Sequence, residues 1–232
     1  MCWSPTADLV AGCAITAVGA LCVASTRRAR DLPLAALPVL LGVHQLIESV
    51  VWRNADNASH AAASNVATIG GTAALLWAVI AFPLLPAFVP LAVLSAASHW
   101  SRFRIAPFVL VGLATSAVLG HVIAAGAVTA RPVGHTMRYG IQPIPLGVLV
   151  VAGYLVATIG SLLVSDQPEI RLLGLVVAVG ALACYALWQA EFVSTWCALA
   201  AVASALILHW LRRPRKRRRA PDPLRRSQIP VR

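Results

Sequence analysis

Apolar runs of about 20 residues recur from one end of this chain to the other, and no other feature constrains its fold as much. A bilayer core is about 30 Å thick, and a helix rises about 1.5 Å per residue, so such a run is the length that crosses it. The 232-residue sequence is 59% hydrophobic and 12% charged, with a mean hydropathy of +0.79. Soluble domains carry about 25% charged residues, roughly twice this share. The sequence therefore predicts an all-α, polytopic membrane protein.

Run lengths and helix breakers predict a seven-transmembrane-helix bundle, with spans over 7–26, 33–52, 66–97, 105–129, 145–164, 170–189 and 192–211. The third run holds Pro83, Pro86 and Pro90. It reads as one kinked span, because proline removes a backbone donor and bends a membrane helix without ending it. Residues 1–211 are expected to make the membrane domain, and 212–232 a basic, disordered cytoplasmic tail. With the N-terminus outside, sixteen of the nineteen Lys and Arg fall on the inner side, leaving only Arg53, Arg131 and Arg138 outside. Basic loops stay in the cytoplasm, so the expected topology is N-out/C-in.

The net charge of +11 comes largely from LRRPRKRRRAPDPLRRSQIPVR, which directly follows the last apolar run. A basic cluster there is a topology signal and a contact for anionic lipid headgroups. No nucleic-acid partner is expected, since no folded reader accompanies it. The five cysteines (Cys2, Cys13, Cys22, Cys184, Cys197) lack metal-finger and CxxC spacing, which argues against a disulfide framework. LVAGC, ending at Cys13, lacks the basic region that a cleaved signal needs.

Polar residues inside the spans gather at one depth. The stretch LGVHQLIESVVWRN places His44, Gln45, Glu48 and Trp52 on about a 100° arc of one helix. Asp8 opens the first span at the same level, and His121 lies in the outer half of the fourth. Tyr185 and Trp188 close the sixth span, and Glu191 and Trp196 open the seventh. The loop RPVGHTMRYGIQP adds His135, Arg138 and Tyr139. Ionisable residues within spans are costly and face the bundle interior, so these residues predict one site near the outer face. Each also has a plain structural role. The tryptophans can be interfacial anchors, the histidines can bond between helices, Arg138 can touch headgroups, and Glu48 can bond to Gln45. His44 and Glu48 at i and i+4 could also bind a metal together with His121 or His135, in a hydrolase or other lipid-modifying enzyme. No HExxH or paired-histidine motif is present, and no metal or cofactor is expected.

Two resemblances follow from these residues. MCWSPTADLVAG, DLPLAALPVLLGVHQLIE and RLLGLVVAVGALACYALWQAEFVSTWCALAA resemble a family of small actinobacterial integral membrane proteins that begin MCxS, which implies a multi-pass protein of the bacterial cytoplasmic membrane. The layout, about 230 residues with an acid on the second of seven spans, is similar to the small membrane-bound terpene cyclases of meroterpenoid and indole-terpenoid pathways. That resemblance implies a carboxylic acid that protonates an alkene or epoxide of a prenyl chain, and aromatic faces that stabilise the cation. Glu48 would match the first acid and Glu191 the second, although Glu191 lies at the start of the last span. Asp8, His44 and Gln45 would support the acid. Trp52, Tyr139, Tyr185, Trp188, Trp196, His121, His135 and Arg138 would line a site for a lipophilic isoprenoid. The expected function is a membrane-embedded, class II-type terpene cyclase; the alternatives are the metal enzyme and a non-enzymatic carrier or sensor. Glu48 is expected to be a buried, protonated acid.

Overall fold

The computed structural model describes residues 4–60, 71–133, 136–144, 146–187 and 192–213, without the side chains at 56–60, 133, 136, 184–187 and 192–198. Helix α1 (Pro5–Ala24) starts where the Ser4 hydroxyl accepts from the Ala7 N–H at 3.1 Å and Pro5 presets the first turn. After a 3₁₀ turn at Ala29–Asp31, α2 runs over Leu32–His60. Then come α3 (Gly71–Ala96), α4 (His99–Ala125) and α5 (Gly147–Leu163), with α6 (Pro168–Leu187) and α7 (Phe192–Arg212) last.

Four segments, Pro5–Ala24, Ala29–Ala55, Gly71–Ala96 and His99–Ala125, are long and apolar enough to cross a membrane among the described residues. Gly147–Leu163 and Leu199–Arg212 are shorter apolar helices. Apolar side chains also cover the outside: Phe103 is 72% exposed, Leu110 68% and Val148 84%. Patches on that scale need lipid rather than water against them. The chain is a helical membrane protein.

Two helices extend beyond the expected spans for one reason. Helix α2 continues to His60 through RNADNASH, and α4 begins at His99 rather than near 105. Hydropathy marks where a helix meets lipid, whereas these polar turns hold no glycine or proline and remain helical beyond it.

Helix α3 is a single rod interrupted by a π turn at Ile80–Leu84. The Leu85 N–H bonds back to the Ile80 carbonyl, and the next residue, Pro86, has no N–H to give. The Ala81 carbonyl therefore loses its helical donor, and Tyr154 of α5 supplies its hydroxyl at 2.9 Å. Ser116 of α4 donates to the Pro83 carbonyl at 2.6 Å. Helix α5 carries its own π turn at Val156–Gly160, just beyond Tyr154. The carbonyl that Pro86 deprives of a donor is thus satisfied by a neighbouring helix, as a membrane interior requires.

Small residues bring α1 and α2 close. A Cβ on Gly19 would stand 2.5 Å from the Val39 nitrogen, and one on Gly12 2.8 Å from Leu46 Cδ2. Between lipid-exposed helices, packing of this kind drives association. The main core joins Cys22, Leu34, Val89, Ile105, Ile170 and Ile207 from six of the helices.

At the end of the bundle where α1 finishes, Gln167 ties three elements together. Its Nε2 donates to the Ala96 carbonyl at 2.9 Å, and its Oε1 accepts from Trp210 Nε1 at 2.6 Å. Arg213 pairs with Glu169 beside it.

The connection between α4 and α5, expected as a loop, contains an antiparallel hairpin, β1 (Thr129–Val133) with β2 (Thr136–Gly140). Ala130 faces Tyr139 and Pro132 faces Met137, while Arg131 stands opposite Arg138. Ala130 and Met137 are buried and both arginines are exposed, so alternation gives the hairpin an inner apolar face and an outer charged one.

Candidate functional site

The polar arc of α2 points into the protein at the end where α1 begins. Gln45 is 1% exposed and Glu48 2%. Gln45 Nε2 donates to Asp8 Oδ1 at 3.0 Å, so the carboxylate of the first turn of α1 is tied to the middle of α2. Asp8 itself is fully buried. Three residues on, Glu48 Oε2 accepts from Trp77 Nε1 of α3 at 3.2 Å.

Trp77 organises the aromatic side chains around this acid. Tyr139 of β2 stacks on it with centroids 3.6 Å apart and planes 4° from parallel. His44 lies against it at 4.8 Å, and Phe82 meets it edge-on at 6.0 Å. Trp52, Val51, Ala74, Ile123, Val128 and Met137 complete the apolar surround. Asp8 Oδ2, His44 Nε2 and Trp52 Nε1 are buried here and make no close hydrogen bond among the described residues, with the Trp52 indole standing near the Asp8 carboxyl. The site can therefore offer both acceptor and donor atoms in a water-poor setting.

Of the residues expected from sequence, Asp8, His44, Gln45, Glu48, Trp52 and Tyr139 come together here. His121 is exposed on α4, and Arg138 points to the outer face of the hairpin. His135, Trp188 and Glu191 lie outside the described residues, as do the side chains of Tyr185 and Trp196. Among the described residues no three His, Cys, Asp or Glu side chains gather closely enough to hold a metal ion. Trp77 is the central residue that sequence reasoning missed. It stands in an apolar run with no polar neighbour at helical spacing, and only the packing of α3 on α2 reveals its partner.

An apolar crevice of about 70 Å³ opens along the same face of α2, two turns from Glu48. Leu37 and Leu41 of α2, Leu85 and Val89 of α3, and Tyr154 and Thr158 of α5 line it with residues of α6 and α7. Both hydroxyls there are already engaged, Tyr154 with Ala81 and Thr158 with the Tyr154 carbonyl.

A model of the family of unknown function DUF6629 matches residues 1–222. The chain belongs to the DUF6629 family. The match covers α1 through α7, and with them every residue of the buried acid cluster. No curated protein and no solved structure matches this DUF6629 chain.

Proposed function

We propose that this DUF6629 protein is a membrane-embedded enzyme of the acid-initiated terpene cyclase type, with Glu48 as proton donor to a lipophilic prenyl substrate. In this proposal it is a seven-span protein of the bacterial cytoplasmic membrane, N-out/C-in. The observation that carries it is the setting of Glu48: a carboxyl 2% exposed, hydrogen-bonded by an indole and ringed by aromatic side chains. Protonating an alkene needs a carboxylic acid away from water, and a carbocation needs π faces nearby.

The chemistry balances without a cofactor. The Glu48 O–H bond breaks as a new C–H bond forms on the substrate, and the cation closes a ring by attack of a second alkene. Loss of a proton from the cyclised cation then restores the acid, so product and substrate have equal mass. Trp77 would hold the Glu48 oxygen in place, and His44, which lies against Trp77, would take the departing proton and return it to Glu48.

A non-enzymatic role is the second reading, and the crevice favours it. Ligand pockets commonly measure about 300–1,000 Å³, against about 70 Å³ here, so a prenyl chain would have to part the aromatic layer to reach Glu48.

Incubation of the purified protein with farnesylated or geranylgeranylated aromatic substrates distinguishes the two. The enzyme reading expects a cyclised isomer of unchanged mass, lost in Glu48→Gln while the helical circular dichroism is retained. An isomer still formed at full rate by Glu48→Gln would overturn the acid assignment. No turnover of any prenylated substrate would favour the structural role.

A further inference from the structure

We propose that Arg131 and Arg138 form a clasp for a phosphoryl group carried by a lipid, on the outer face of the β1–β2 hairpin. This is independent of the chemistry proposed for Glu48. The two residues are direct cross-strand partners, which sets their Cβ atoms roughly 5 Å apart on one face of the ladder. Both are exposed. Among the described residues no carboxylate lies within ion-pair distance of either hairpin guanidinium.

Like charges directly opposite one another destabilise a hairpin. The surrounding structure nevertheless fixes this register. Ala130, 1% exposed, and Met137, 6% exposed, anchor the inner face, and Tyr139 is stacked on Trp77. A one-residue slip would turn that inner set outwards, so the arginines cannot separate without losing it. An anion between them converts the repulsion into two charge-assisted contacts. Guanidinium groups match phosphate oxygens in a bidentate fork.

The chemistry of the ligand follows from the location. The hairpin joins the ends of two apolar helices, α4 and α5, so its charged face stands where a bilayer presents headgroups. Apolar side chains of α5 continue outward from it, with Val148 84% and Leu149 65% exposed. A phosphate above and an acyl or prenyl chain along those side chains would be accommodated together. The phosphoryl group can come from a membrane lipid or from an isoprenoid phosphate.

The test is calorimetric titration of the full chain in a neutral detergent with dihexanoyl phosphatidylglycerol, farnesyl phosphate and inorganic phosphate. At least one lipid-borne phosphate should bind more tightly than inorganic phosphate, and the tighter of the two names the source. Arg131→Gln and Arg138→Gln should each weaken it at least about tenfold. Arg53→Gln, which removes an exposed charge from α2 at the same end, should leave it within about twofold. Equal losses in all three variants would show unspecific attraction and overturn the clasp, as would binding unaffected by either hairpin variant or no binding of any probe. Thermal unfolding adds a sign. Without anion, Arg138→Gln should melt no lower than the parent, since a repulsion has been removed. A lower melting point there would mean that the protein itself holds Arg138, and the clasp would be wrong.

Discussion

The Trp77 indole donates a hydrogen bond to Glu48 Oε2 across 3.2 Å, joining two side chains that are each at most 2% exposed. In Trp77→Phe the ring contact with Tyr139 can persist while this donor disappears. Hydrogen bonds within membrane bundles contribute about 0.6–1.7 kcal/mol, and the larger indole leaves some volume unfilled. Trp77→Phe should therefore lower stability by roughly 1–3 kcal/mol. Glu48→Gln keeps an oxygen to accept and should cost less. Reversible unfolding in mixed micelles measures both, and equal losses would show that the hydrogen bond contributes nothing separable.

Asp8 and Gln45 connect α1 to α2 through one bond of 3.0 Å. A double-mutant cycle of Asp8→Ala and Gln45→Leu, each of which removes one partner, should return a coupling on the order of 1 kcal/mol. Additive effects of the two changes would place the interaction below detection.

Gly19 and Gly147 separate close packing from helix propensity. A methyl group on Gly19 would press on the α2 backbone at 2.5 Å, whereas nothing lies within 4 Å of the corresponding point on Gly147. Gly19→Ala should destabilise by about 1–3 kcal/mol through overpacking. Gly147→Ala should be neutral or stabilise by up to about 1 kcal/mol. Melting temperatures of the two variants, taken side by side, should therefore move apart.

Tyr154 supplies the donor that Pro86 withholds from the Ala81 carbonyl. Tyr154→Phe should cost about 1 kcal/mol. It should also speed amide hydrogen exchange at the π turn of α3 more than elsewhere in that helix. Uniform exchange along α3 would count against this role.

Asp166, in the turn before α6, gives a pH dependence. Partial burial opposes its charge, but hydrogen bonds from the Ser98 and Ser101 hydroxyls and from nearby backbone outweigh that effect and hold its carboxyl below the usual carboxylate range. A folded-state pKa below the unfolded one stabilises the protein above the unfolded value, near pH 4, and that contribution fades as pH falls through the folded value. Asp166→Asn should thus be less stable than the parent at pH 6, with the gap closing towards pH 3. A gap that widens on acidification would reverse the sign.

The membrane class, the position of the helices and the polar arc of α2 were legible in the sequence because each depends on local periodicity. His44, Gln45, Glu48 and Trp52 share a face wherever that helix is placed, and run length alone separates one apolar helix from the next. The same property limited the boundaries, since hydropathy registers lipid contact and not the polar turns that extend α2 and begin α4.

Partners across helices were a different matter. The linking of Asp8 to Gln45, of Glu48 to Trp77 and of Trp77 to Tyr139 joins residues 29 to 62 positions apart, and no spacing rule pairs residues at such separations. The π turn of α3 needed both the prolines, visible in sequence, and a hydroxyl from α5, which was not. The hairpin was hidden because RPVGHTMRYG carries weak strand propensity, and its pairing depends on the apolar surface beneath it. The sequence by itself determined that this chain folds as apolar helices with a carboxylate set among them, because helix formation and lipid burial are local demands. Tertiary structure alone decided that Glu48 meets an indole and that two arginines face each other above it, because those contacts arise only when separate helices and a hairpin pack into one volume.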